Sequence, residues 1–116
     1  MIPKYRAWDR ETKSMNGMAE IYRNRKQEIE LHPRDENIIL MQSTGLRDKN
    51  GKEIFEGDVL ETKDGLLDGV VEYRTDLGMW TNSLFRYNNF ERLCNVADST
   101  YIIGNIYENQ ELLEAN

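Results

Sequence analysis

Short stretches in which apolar and polar residues alternate occur along most of this chain. Residues 27–31, QEIEL, show the pattern most clearly, because Ile29 and Leu31 are separated by glutamates. A period of two is typical of a strand that buries one face and exposes the other. Further strand-like stretches predict strands at residues 4–8, 17–22, 59–63, 69–74, 79–87 and 101–107, and the short apolar run at residues 38–42 predicts a buried strand. The pattern therefore favours a strand-rich protein.

Residues 44–58, TGLRDKNGKEIFEGD, contain three glycines among many charges and could form a ligand loop. A phosphate-binding P-loop needs Ser or Thr after its lysine, whereas Glu53 follows Lys52 here. A calcium-binding EF-hand needs its glycine five residues after the first ligand, whereas Gly51 is three residues after Asp48. Both specialised loops are therefore excluded. A surface cation held by turn residues stays an open alternative, with Asp48, Asn50, Glu53 and Asp58 as ligands.

A hairpin explains the same segment better. Asn50-Gly51 is the preferred pair for a two-residue type I′ turn, because both positions need positive φ. Leu46 and Ile54 lie at equal distances from this turn, so the hairpin would bring them together on one face. Residues 56–58 then predict a second reversal of the chain, which leads into the next strand.

Two segments near the C-terminus carry helical signals. Residues 89–97 fit a helix as well as a strand, and the tail has good helix formers behind Asn109, a candidate N-cap. We expect an all-β, mainly antiparallel fold with an N-terminal β-meander, a small SH3-like β-barrel in the C-terminal part and a short C-terminal helix. Residues 1–116 are expected to form a single domain, with a candidate seam at residues 33–37.

The composition restricts the class of protein. No apolar run approaches the roughly 20 residues of a membrane span, and the N-terminus lacks the apolar segment of a signal peptide, so we expect a cytoplasmic protein. The single cysteine, Cys94, lies among apolar residues and is predicted to be a buried, unreactive thiol. The single histidine, His32, has no recognisable catalytic partner. We therefore expect no enzyme activity and no catalytic, cofactor-binding or metal-binding residues.

Charge is distributed unevenly along the chain. Residues 1–34 carry eight Lys/Arg and five Asp/Glu, a net charge of +3, and residues 35–116 carry seven and sixteen, a net charge of −9. The total of −6 disfavours nucleic-acid binding, because that binding depends on Lys and Arg neutralising phosphates. The basic and aromatic residues of the N-terminal part nevertheless form a candidate single-strand contact. They are Lys4, Arg6, Trp8, Arg23, Arg25 and Lys26.

Three separate motifs resemble the YopX-type proteins of phages and bacterial prophages. They are the opening MIPKYRAWDRETKSM, the central ILMQSTGLRDKNGKEIFEGDVL with the following GVVEY, and the closing IIGNIYENQELL. They occur in the expected order and cover about half the chain, although Gln110 stands where the closing motif of the family often has proline. The resemblance implies a phage or prophage origin, a β-rich single YopX-like domain and residence in the cytoplasm of a bacterial host. It brings no activity and no site residues.

These observations favour a non-enzymatic accessory protein that binds a host or phage protein without a cofactor. A small nucleic-acid-binding barrel is the alternative. We expect no membrane association, and a homo-oligomer stays open because exposed strand edges can pair.

Overall fold

A computed structural model of the chain describes residues 4–15, 19–23, 29–33 and 37–114. The strands are β1 (Tyr5–Asp9), β2 (Ala19–Arg23), β3 (Ile29–Pro33), β4 (Ile38–Arg47), β5 (Glu53–Phe55), β6 (Asp58–Glu61), β7 (Gly69–Arg74), β8 (Met79–Leu84), β9 (Phe90–Arg92) and β10 (Tyr101–Asn105). The helices are α1 (Leu93–Val96), a 3₁₀ helix (Ala97–Ser99) and α2 (Glu111–Glu114). In these ranges no helix has the length and apolar character needed to cross a membrane. The all-β prediction with a short C-terminal helix is confirmed.

The chain groups into two compact units, Met1–Ser43 and Thr44–Asn116. The predicted seam at residues 33–37 lies partly outside the described residues and stays a prediction, as does the single domain. In the first unit β1 runs antiparallel to the first half of β4, with Trp8 opposite Ile39. β2 and β3 form a separate two-stranded sheet. Since β1 pairs with β4 and not with β2, the predicted N-terminal meander is wrong.

The second unit contains a five-stranded antiparallel sheet in the order β10-β6-β7-β8-β9. Its core is a cluster of buried aliphatic side chains, in which each Val, Leu or Ile contributes about 1.5–3 kcal/mol through burial. The cluster consists of Ile54, Leu60, Val71, Leu93 and Ala97, with Leu46, Trp80 and Ile102 packed against it. Leu46 and Ile54 thus share one apolar face, as predicted. β9 and β10 are the two ends of the sheet, so its strands form an open sheet and not the predicted closed barrel.

The ambiguous residues 89–97 form both kinds of structure, since β9 is followed directly by α1 and the 3₁₀ helix. Leu93 and Val96 are buried, because positions i and i+3 share one face of a helical turn. Cys94 lies on another side of the same turn and is exposed. The prediction of a buried thiol was therefore wrong, because the short helix turns Cys94 away from its apolar neighbours.

Two residues that the alternation assigns to the core are exposed. Tyr73, near the end of β7, is 43% exposed and Ile103 in β10 is 41% exposed. At Ile103 the pairing of β10 with β6 shifts register between Ile102 and Gly104, which is a β-bulge. Ile103 directly follows the half-buried Ile102, and successive side chains of a strand lie on opposite faces, so only one of the two isoleucines can face the core.

Candidate functional site

The Asn50-Gly51 segment forms a turn of a different type from the one predicted. The Gly51 N–H donates to the Asp48 carbonyl (3.0 Å), and the Asp48 N–H donates to the Lys52 carbonyl (2.8 Å). Gly51 has φ 81°, whereas Lys13 is the only non-glycine residue with positive φ in the described ranges. Asn50 therefore does not have the positive φ that a type I′ turn requires. The bonds match a three-residue hairpin connection that closes with a left-handed glycine.

The buried carboxylate of Asp48, 5% exposed, determines this geometry. Its Oδ1 accepts hydrogen bonds from the N–H groups of Asn50 (3.0 Å) and Lys52 (2.8 Å), and its Oδ2 accepts from Ile102 N–H (3.0 Å). The Lys49 N–H also donates to the Thr100 carbonyl at 2.8 Å. Asp48 thus joins the turn to the start of β10. We call the three hydrogen bonds that the Asp48 carboxylate accepts the Asp48 clamp.

The second reversal of the opening segment is also closed by a carboxylate. Oδ2 of Asp58, which is 1% exposed, accepts a hydrogen bond from Phe55 N–H at 2.7 Å, and Gly57 between them has φ 85°. In the described part of the chain, no group of three or more His, Cys, Asp or Glu side chains is placed to hold a metal ion. The segment is therefore a turn–strand–turn structure whose buried carboxylates bind backbone.

An open groove of about 560 Å³ lies beside the turn. Two lysines and two aspartates line it, Lys49 and Lys63 with Asp64 and Asp98, so its charges balance. Hydrogen bonds from Leu66 N–H and then from the Thr62 hydroxyl hold the pKa of Asp64 below its usual range. These polar atoms serve the loop itself, and the groove selects no particular charge of ligand.

The end of the β7–β8 hairpin carries the most exposed aromatic side chain among the strands of the five-stranded sheet. Tyr73 and Trp80 lie directly opposite each other in the register, and their rings meet edge to face, with centroids 5.1 Å apart and an interplanar angle of 72°. Trp80 is half-buried, Tyr73 is 43% exposed, and Leu77 in the connecting turn is 46% exposed. We call Tyr73, Leu77 and Trp80 the hairpin patch.

The connecting turn presents Leu77 because its backbone bonds close on a single carbonyl. The N–H groups of Leu77 (3.1 Å) and Gly78 (2.7 Å) both donate to the Arg74 carbonyl. Gly78 has φ 65°, a left-handed conformation that only glycine adopts at little cost. The chain therefore reverses tightly and leaves the Leu77 side chain at the end of the hairpin.

Arg74 is the next residue after Tyr73 and lies on the opposite face of β7. Its guanidinium donates to both carboxylate oxygens of Asp76, from Nε to Oδ1 (3.0 Å) and from Nη2 to Oδ2 (2.7 Å). It also lies 5.0 Å from the centroid of the Phe90 ring. The hydrogen bond to Asp76 raises the pKa of Arg74, and the same bond lowers the pKa of Asp76. The positive charge at the hairpin end is thus paired within the hairpin.

The structure describes the side chains of three of the six predicted nucleic-acid residues, Lys4, Arg6 and Trp8. Lys4 is exposed, whereas Trp8 is 6% exposed and Arg6 is half-buried, with its Nη2 donating to the sulfur of Met41 at 3.6 Å. Arg23 pairs with Ile29 between β2 and β3. Arg25 and Lys26 lie outside the described residues, so the contact stays a prediction. The burial of Trp8 leaves little ring surface for stacking.

Sequence reasoning missed the hairpin patch because it assigned Tyr73 to the core, whereas of its two aromatic residues only Trp80 packs against the core cluster. A usable signal was present, however. Tyr73 lies two residues before the polar pair Thr75-Asp76, which precedes Leu77-Gly78. An apolar residue inside such a short turn has no room to reach the core, and that indicates an exposed apolar hairpin end.

Comparison with known proteins places this fold among proteins of known structure. The sequence model of the YopX protein family matches residues 4–114. The crystal structure of protein EF1440 from Enterococcus faecalis is 30% identical and matches with a TM-score of 0.62, covering 97% of this chain and 99% of that chain. The crystal structure of YopX from Bacillus subtilis is 23% identical and matches with a TM-score of 0.55, covering 94% of each chain. A search of the curated proteins finds no match.

Proposed function

The chain belongs to the YopX family, and from that premise we propose that it is a phage- or prophage-encoded accessory protein that binds another protein without catalysing a reaction. The binding takes place in the cytoplasm of the bacterial host, and the hairpin patch is the contact surface. The observation that carries this proposal is the exposure of Tyr73 and Leu77 at the end of one hairpin, where the Tyr73 ring meets the half-buried Trp80.

The chemistry of the hairpin patch suits a protein interface. Trp and Tyr are among the residues that contribute most to binding at protein interfaces, because they bury a large area with few rotatable bonds. The edge-to-face contact between Tyr73 and Trp80 already fixes their relative orientation. These two side chains would therefore lose little conformational entropy when a partner binds.

The same aromatic pair could serve only to stabilise the hairpin. Cross-strand aromatic pairs contribute roughly 0.2–1 kcal/mol to a sheet. That explanation accounts for Tyr73 and Trp80 but not for Leu77, which is 46% exposed in the turn and contributes little to the sheet from there. The two explanations differ in outcome, since a stabilising pair changes the free energy of unfolding and a contact surface changes affinity.

The edges of the five-stranded sheet favour binding through side chains over binding through an added strand. On β10, the Ile102 N–H donates to Asp48, and the Asn105 N–H donates to the Asn109 side-chain oxygen at 3.2 Å. On β9, the Phe90 N–H donates to the side chain of Asn89 at 2.8 Å. These N–H groups are already bonded to side chains, so a strand of a partner or of a second copy would have to displace them.

Affinity capture with three versions of the full chain tests the proposal. The baits are the wild type, the double variant Tyr73→Ala/Leu77→Ala, and a matched control, Tyr87→Ala/Leu66→Ala. The control residues are a tyrosine and a leucine of similar exposure, 50% and 42%, outside the hairpin patch. Each bait is exposed to host lysate taken before and after induction of a prophage, and the captured proteins are identified by mass spectrometry.

We expect one or more proteins to be retained by the wild type and the control and to be lost from the patch variant. Equal retention by all three baits would show that the contact surface lies elsewhere on the protein. Recovery of no protein at any phase of infection would contradict the proposal. Binding of single-stranded or duplex oligonucleotides at low salt would favour the nucleic-acid alternative, because phosphate contacts are strongest there.

A further inference from the structure

Resting on the proposed function, we infer that the partner surface that meets the hairpin patch is basic, with lysine and arginine side chains around an apolar centre. The first observation is the charge balance of the hairpin end itself. Glu72, Arg74 and Asp76 lie within five residues of one another, and Glu72 and Asp76 are exposed. Arg74 is held by both oxygens of Asp76 and covered by the Phe90 ring. Glu72, Arg74 and Asp76 together therefore carry a net charge of −1.

The second observation is the charge of the whole unit that carries the hairpin. The range Thr44–Asn116 contains fourteen Asp/Glu and seven Lys/Arg, which gives a net charge of −7. A surface of this sign attracts a basic partner during diffusion and repels an acidic one. It also repels nucleic acid and anionic membranes, whose phosphates carry the same sign.

The apolar residues of the hairpin patch and the charged residue Glu72 have different roles in binding. Tyr73, Leu77 and Trp80 provide the area that is removed from water on binding, which governs how slowly the complex dissociates. Glu72 lies on β7 next to Tyr73, but its side chain is on the opposite face of the strand. It therefore acts at the rim of the contact, where a charge mainly affects association rate and salt dependence.

A library of random linear peptides displayed on yeast provides the probe. It is selected against the full-length chain, and every enriched peptide is measured against the Tyr73→Ala/Leu77→Ala variant to identify peptides that depend on the hairpin patch. Those peptides are then titrated at low and at high sodium chloride against the wild type, Glu72→Gln, and the control Glu61→Gln. Glu61 is an exposed acid at the opposite end of the sheet, where it pairs with Tyr101.

We expect patch-dependent peptides to have apolar centres with an excess of Lys and Arg, and to bind less tightly as salt rises. Glu72→Gln should weaken them about two- to fivefold, the effect of one exposed ion pair, and Glu61→Gln should leave them unchanged. Patch-dependent peptides that are neutral or acidic, or that bind equally at both salt concentrations, would overturn the basic partner while the protein-binding function stands. Enrichment of no peptide that depends on the patch would overturn the function and this inference together.

Discussion

Removal of the Asp48 clamp gives the sharpest test of how the second unit is held together. Asp48→Ala removes a buried carboxylate that accepts hydrogen bonds from Asn50, Lys52 and Ile102. Asn50 and Lys52 are exposed, so water can replace the lost acceptor at modest cost. Ile102 is half-buried, and an unsatisfied buried donor costs about 1–3 kcal/mol. We therefore expect Asp48→Ala to lower the free energy of unfolding by about 2–4 kcal/mol.

A second substitution at Asp48 and a control at an exposed aspartate complete the test. Asp48→Asn keeps one acceptor oxygen for the turn but places an NH₂ group against a backbone N–H, so about 1–2 kcal/mol should be lost. Asp98→Ala is the matched control, since Asp98 is an exposed aspartate in the 3₁₀ helix. It should change the free energy of unfolding by less than about 0.5 kcal/mol.

The chain offers a convenient reporter for this measurement. Its two tryptophans lie one in each unit, Trp8 in the first and Trp80 in the second. In a Trp8→Phe background, the fluorescence of Trp80 reports the second unit alone during urea unfolding, and linear extrapolation gives the free energy of unfolding. Values for Asp48→Ala and Asp98→Ala that agree within about 0.5 kcal/mol would refute the clamp as a source of stability.

Three other outcomes follow from the structure. Gly69→Ala would place a Cβ against the backbone carbonyl of Ser83, which cannot move easily. The free energy of unfolding should therefore fall by about 2 kcal/mol or more in the same urea titration. An unchanged midpoint would disprove the close approach. Hydrogen bonds lower the pKa of Asp64 in the folded protein, so its ionised form stabilises the fold above the usual pKa of 3.8. That stabilisation is lost as pH falls through the lowered pKa of the folded state. Carboxyl ¹³C NMR should give a midpoint below 3.8, and a midpoint at or above 3.8 would contradict the loop bonds. Cys94 should react with a thiol reagent in the folded protein almost as fast as in urea, and strong protection would show that it is not exposed.

Much of the strand arrangement could be predicted because alternation is a local property. β7 covers residues 69–74, the same residues that the sequence pattern predicts as a strand. Pairing between distant strands could not be predicted in the same way. β1 reaches across more than twenty residues to β4, and no local pattern states which strand will be its neighbour.

The remaining errors come from side chains that accept hydrogen bonds from backbone N–H groups. Asn50 was expected to have positive φ, but the carboxylate of Asp48 accepts its N–H and stabilises a different turn. Asn109 was expected to cap α2, whereas its side-chain oxygen accepts from Asn105 and closes the end of β10. Asp48 also accepts from the N–H of Ile102, 54 residues further along the chain, and a bond of that kind depends on tertiary placement, which the sequence around each residue does not contain.

The candidate site was harder to predict than the fold because exposure depends on where neighbouring elements end. Tyr73 continues the face of Val71, and alternation therefore assigned both to the core. Val71 is 1% exposed, but two residues later the covering elements have ended and Tyr73 is 43% exposed. The chemistry of the residue was recognised correctly, and its surroundings were not.

The affinity of a captured partner for the patch variant tests the central claim most directly. Biolayer interferometry compares the wild type with Tyr73→Ala/Leu77→Ala and with Tyr87→Ala/Leu66→Ala, after urea titration has established that all three are folded. We expect the patch variant to bind at least about tenfold more weakly, since truncation of central aromatic and apolar contacts commonly costs more than 1 kcal/mol each, and the control to bind like the wild type. Binding of the patch variant within about twofold of the wild type would contradict a contact through the hairpin patch.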